Sequence, residues 1–161
     1  MEFRLSRRRG FTLLEIIVSV SILLLLSGLF IVNYNGFSSS QNVKQAASGL
    51  MANLQAARTR AAVGAKPSTC DTLIGYNVAF LNESTYTVQA LCDSGTAGDI
   101  QTYTLPTGVL FFPVPADITF YALNHGTKSD ETITLEGNNV TMTVSVLASG
   151  VVSVYGPTPT P

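Results

Sequence analysis

The sequence predicts an α+β protein, with a long amino-terminal helix, membrane-spanning in its first half, packed against a carboxyl-terminal antiparallel β-sheet domain. Three observations carry this. An apolar run extends to Val32 with hardly a polar interruption. Apolar residues then recur at helical spacing from Val43 to Ala61. Beyond Pro67 the period switches to two, with turn residues between short runs.

Residues 1–10 form a basic leader that contains Arg4, Arg7, Arg8 and Arg9 and ends in Gly10. From Phe11 to about Val32 the chain is apolar nearly all round, which suits lipid or a filament core and is long enough for a hydrocarbon layer of about 30 Å. Glu15 lies inside this stretch. An ionisable group in a span costs roughly 2.5–3.5 kcal/mol at the helix centre, so it reads as functional by default. Asn33-Tyr34-Asn35-Gly36 is a weak point for a helix, or simply the place where the span leaves the membrane.

The helix resumes with Val43, Ala47, Leu50, Leu54, Ala57 and Ala61 on one face and Gln41, Lys44, Asn53 and Arg60 opposite. Gly64 and Pro67 end it, giving one helix over 11–62. A β-rich domain over 67–156 follows. Ile74, Tyr76, Val78 and Phe80 alternate with small or polar residues, as do Tyr86, Val88 and Ala90 beyond Asn82-Glu83, which reads as a hairpin. Further strands are expected at 101–105, 109–112 and 118–123. A meander over 132–135, 140–147 and 151–155 turns at Gly137-Asn138-Asn139 and Ala148-Ser149-Gly150. The tail 157–161, with three prolines, is expected to fray outside any sheet.

At 161 residues there is room for one membrane segment and one modest domain. The formal net charge of -1 hides an uneven distribution, because four of the nine basic residues sit in the leader. From Pro67 onward only Lys128 faces eight carboxylates, a balance of about -7. Nucleic-acid binding needs clustered lysine or arginine, so DNA or RNA is not an expected partner.

Cys70 and Cys92 both fall in the part expected outside the cytoplasm, near the open end of the hairpin, and are the candidates for a disulfide. Two thiols without C-x-x-C spacing and a single histidine, His125, do not fill a zinc shell, so no metal and no cofactor are expected. No phosphate loop or nucleophile elbow is present, and the chain is not expected to be an enzyme.

The run Arg7-Arg8-Arg9-Gly10-Phe11-Thr12-Leu13-Leu14-Glu15 resembles the processing site of the type IV pilin and type II secretion pseudopilin superfamily. The resemblance implies that prepilin peptidase cleaves between Gly10 and Phe11 and methylates the new amino terminus at Phe11. It also implies that Glu15 pairs with a neighbouring subunit's terminus during assembly. The implied partners are the peptidase, other pilin or pseudopilin subunits and the inner-membrane assembly platform. The implied place is the bacterial inner membrane, single-pass, with the carboxyl-terminal domain outside the cytoplasm and incorporated into a filament. Leu50–Ala62, Tyr76–Phe80, Leu105–Val109, Ile118–Phe120 with Gly126, and the strands ending near Gly150 are similar to minor pseudopilins of the H type. Relatives that capture DNA carry basic residues after the glycine that Gly150 resembles, and Val151 with an uncharged tail departs from that pattern.

Other readings of the amino terminus fit less. A secretory signal should end in a small-residue site, and Asn33-Tyr34-Asn35-Gly36-Phe37 offers none. Twin-arginine signals are only moderately apolar, unlike Ile22-Leu23-Leu24-Leu25-Leu26. A plain anchor that displays an acidic extracellular binding domain remains the alternative function, and it leaves Glu15 without a role.

Overall fold

The computed structural model describes residues 11–123, 126–137 and 140–159, with backbone alone for 28–39. The leader with Gly10, the turn residues Asn138 and Asn139, and His125 lie outside the described residues. One helix, α1 (Leu13–Ala62), precedes eight strands. These are β1 (Leu73–Phe80), β2 (Thr85–Cys92), β3 (Gly95–Thr104), β4 (Leu110–Phe111), β5 (Ile118–Tyr121), β6 (Glu131–Gly137), β7 (Val140–Val146) and β8 (Val152–Pro159). The chain falls into two compact units, Met1–Phe37 and Ser38–Pro161. The boundary thus falls inside α1, beside Asn33–Gly36, so the second half of the helix belongs to the same unit as the strands.

The helix ends where the sequence provides the chemistry to end it. Gly64 adopts φ 65°, its N–H donates to the Ala61 carbonyl at 3.1 Å, and the Ala65 N–H donates to the Arg60 carbonyl at 2.9 Å. This paired arrangement satisfies carbonyls that the last turn leaves open, with glycine in the left-handed position.

The strands form the expected antiparallel β-sheet domain, divided into two sheets. The first has the order β3-β2-β1-β5 and the second β4-β6-β7-β8. Period-two patterning says which face a residue takes but not which strand it meets. Here β5 returns to pair with β1, matching Tyr76 to Phe120 and Val78 to Ile118, while β4 leaves to pair with β6. Gly75 makes the first of these approaches possible, since a Cβ there would run into the Phe120 carbonyl.

Both sheets contribute to one core, onto which α1 lays its stripe. Val43, Ala47, Leu50, Leu54, Ala57 and Ala61 are all at most 1% exposed. They join Tyr76, Val78 and Phe120 of the first sheet and Ile133, Leu135 and Val144 of the second in one apolar cluster. Phe80 and Phe111 meet edge to face at 5.1 Å, which bridges the two sheets with a favoured aromatic geometry. Polar ties sit at the margin. Asn53 donates to the Tyr86 hydroxyl at 2.7 Å, and Arg60 donates to the Gln101 side chain at 2.9 Å.

Two expectations need correction. Ile74 does not share the buried face of Tyr76 and Val78 but is 39% exposed, because the register with β2 slips between Leu73 and Gly75. Such a bulge adds one residue and turns its neighbours over. Residues 157–159 of the tail do not fray either, since β8 runs on to Pro159 and pairs Thr158 with Thr141 and Pro159 with Val140. β8 is the last strand of its sheet and needs donors on one side only, which makes prolines tolerable there.

The other three sheet edges are also modified. β3 carries an irregularity between Gln101 and Ala97 that includes Gly98 at φ 76°, β4 has only two residues, and β5 has four. The polar, glycine-rich opening of β3 gave no alternation to read, yet it pairs with β2 back to Gly95.

Candidate functional site

The amino-terminal segment is organised by its first turn. Thr12 precedes the helix, its Oγ1 accepts from the Glu15 N–H at 3.2 Å, and its carbonyl accepts from the Ile16 N–H at 3.3 Å. Thr12 is therefore the amino-terminal cap, with Glu15 three residues on. Threonine followed by glutamate at that spacing is the sequence signature of a capping box. It is legible in Thr12-Leu13-Leu14-Glu15, beside the processing and assembly roles that the resemblance implies for the same run. Glu15 thus stands in the first turn, where the helix dipole favours an anion.

Every large apolar side chain from Phe11 to Leu26 is exposed, with Phe11 at 78% and Leu25 at 74%. The polar groups among them are handled internally. Ser19, Ser21 and Ser27 each donate to the carbonyl four residues back, at 2.7, 2.8 and 2.7 Å. Serines bonded this way carry no unmet donor into an apolar setting. Among the described residues the Glu15 carboxylate makes no hydrogen bond within its own helix. Among the described residues no helix is long and apolar enough to cross a membrane. The described side chains of this segment stop at Ser27, whereas the apolar sequence continues to Val32.

In the second unit Cys70 and Cys92 are joined, with Cα atoms 5.8 Å apart and a sequence separation of 22. The bridge fastens the turn after α1 to the end of β2, where Cys92 pairs with Leu73. Among the described residues no group of His, Cys, Asp or Glu has the makings of a metal site. Asp130 and Glu131, adjacent in sequence, are committed separately. Asp130 accepts from the Ala148 N–H, and Glu131 accepts from the Ser129 hydroxyl at 2.7 Å. A cleft of about 520 Å³ beside Arg60, Lys66 and Asp99 is open, and its two cations are already engaged by Gln101 and the Asp71 carbonyl.

The prokaryotic N-terminal methylation motif matches residues 5–31. No curated protein and no solved structure matches the chain. The motif supports a pilin- or pseudopilin-like protein processed by prepilin peptidase, and it covers Phe11, Thr12 and Glu15 together.

Proposed function

We propose that the chain is a minor pilin or pseudopilin subunit of a type IV pilus or type II secretion pseudopilus, similar to the H type, and that it is no enzyme itself. The observation that carries this is the methylation motif opening an exposed apolar helix whose one carboxylate sits in the first turn. Prepilin peptidase removes the leader after Gly10 and methylates Phe11. The segment from Phe11 to Val32 then holds the protein in the inner membrane as a single pass, with the Ser38–Pro161 unit outside the cytoplasm. Other subunits and the assembly platform draw it from lipid into a filament.

Glu15 supplies the selectivity of that transfer. A carboxylate in a low-dielectric setting suffers desolvation unless a cation meets it, and the attraction between such a pair is steep there. A methylated amino terminus on a neighbouring subunit is such a cation. A subunit with Glu15 therefore joins beneath another one. The acidic balance beyond Pro67 sets it apart from subunits that capture DNA.

Co-expression with a prepilin peptidase tests the reading by intact mass. The expected product starts at methylated Phe11 and is lost in Gly10→Val. Glu15→Leu should insert and be cleaved, yet fail to co-purify with partner subunits. A full-length chain indifferent to Gly10→Val would instead favour the membrane-tethered binding domain.

A further inference from the structure

The outer face of the second sheet presents a row of side chains to which the processing motif and Glu15 assign no role. On β6 and β7, Ile133, Leu135, Met142 and Val144 are buried, so the cross-strand pair Thr134 and Thr143 points outward. Thr143 lies opposite Tyr155 on β8. At the other edge the Phe112 N–H donates to the Thr134 carbonyl at 3.0 Å, just past β4, and Phe112 follows the buried Phe111. One row across four strands therefore reads Phe112, Thr134, Thr143, Tyr155. With strands about 4.8 Å apart, the two ends of the row lie roughly 14 Å from each other along the backbone ladder.

Outward threonine on a strand is ordinary, and a single exposed aromatic is too. Two exposed rings closing the opposite ends of one hydroxyl row are not covered by either account. Phe112 is 64% exposed and Tyr155 60%. The row itself carries no charge, in a region where eight carboxylates outnumber one lysine. That surplus repels anionic polymers and leaves neutral ones indifferent.

We propose that this face binds an extended, neutral, β-1,4-linked polysaccharide lying across the strands. A pyranose ring has an apolar C–H face and a rim of hydroxyls. A flat aromatic ring matches the face, and a threonine hydroxyl, both donor and acceptor, matches the rim. The strand separation is close to the rise of one sugar in such a chain, so one sugar rests over each strand. Phe112 and Tyr155 stack on the first and fourth rings, and Thr134 and Thr143 bond the two between. A helical polymer does not keep that spacing.

The test uses the full chain in an amine-oxide detergent, since sugar-headed detergents would compete. Retention is measured on microcrystalline cellulose and chitin, with the helical β-1,3-glucan curdlan as control. Retention is expected on the first two and not on curdlan. Phe112→Ala and Tyr155→Ala should each weaken it about fivefold, the scale of one aromatic contact. The double variant should fall to background with unchanged thermal unfolding, because both rings are exposed. No retention of the unmodified chain, equal retention on curdlan, or undiminished retention of the double variant overturns the proposal. So does a double variant that loses only its co-purification with other subunits, which marks a protein interface.

Discussion

From Phe11 to Leu26 every large apolar side chain of α1 is exposed, whereas the stripe from Val43 to Ala61 is among the most buried in the molecule. The two halves share one secondary structure and differ in where their apolar groups are satisfied. The second half has a one-sided pattern that its own sheets complete. The first half is apolar nearly all round, and its described large apolar side chains are exposed. Periodicity therefore separates a helix that stabilises its own domain from one that needs an outside solvent or partner.

The sharpest way to break this contrast is to truncate one leucine in each half. Leu54→Ala should cost roughly 2–5 kcal/mol in denaturant unfolding of the globular unit, as buried leucines do. Leu24→Ala, 70% exposed in the native residue, should leave that unfolding curve where it was. Equal losses would mean that both halves are part of one core. The disulfide comes next. Replacing Cys70 and Cys92 by serine should remove about 3 kcal/mol, the chain-entropy value for a loop of this length. Membrane association, measured by flotation, should not change.

Gly64→Ala should cost about 1 kcal/mol, because the left-handed cap conformation then meets a Cβ. A melt shift of several degrees would register it. The smallest effect concerns Tyr86, where α1 touches the first sheet through Asn53. Burial raises the Tyr86 phenol above its ordinary 10.0, the Asn53 hydrogen bond opposes this, and neighbouring Tyr103 adds to it. The folded state thus keeps its proton longer than the unfolded chain. The Tyr86 contribution is intact below pH 10.0 and is lost as pH climbs from there through the raised value. Tyr86→Phe should lose about 1 kcal/mol at neutral pH with the hydrogen bond, and flatten the alkaline decline. An unchanged alkaline limb in urea titrations would reject this.

Much of this was legible in the chain. The helical stripe, the β1–β2 hairpin and the β6–β8 meander follow from periods that a buried face imposes on its residues. What is not legible there is less local. The split into two sheets depends on β5 choosing β1 over β6, and no pattern within Ile118–Tyr121 encodes a partner. Ile74 faces out because of one extra residue, which periodicity alone cannot show. Pro157 and Pro159 read as the end of a strand because the rule against proline assumes neighbours on both sides. At the amino terminus Thr12 and Glu15 carry both the processing motif and a capping spacing, and only the hydrogen bonds to Thr12 show that it caps the helix.

The four modified sheet edges matter most when many copies share one surface. Molecules held at a membrane meet neighbours far more often than in free solution, and an open strand edge is a template for runaway pairing. Here one edge is interrupted by a bulge, two are too short to template, and the last lacks N–H groups at Pro157 and Pro159. Copies brought side by side therefore meet no long, regular open strand on which to extend a sheet.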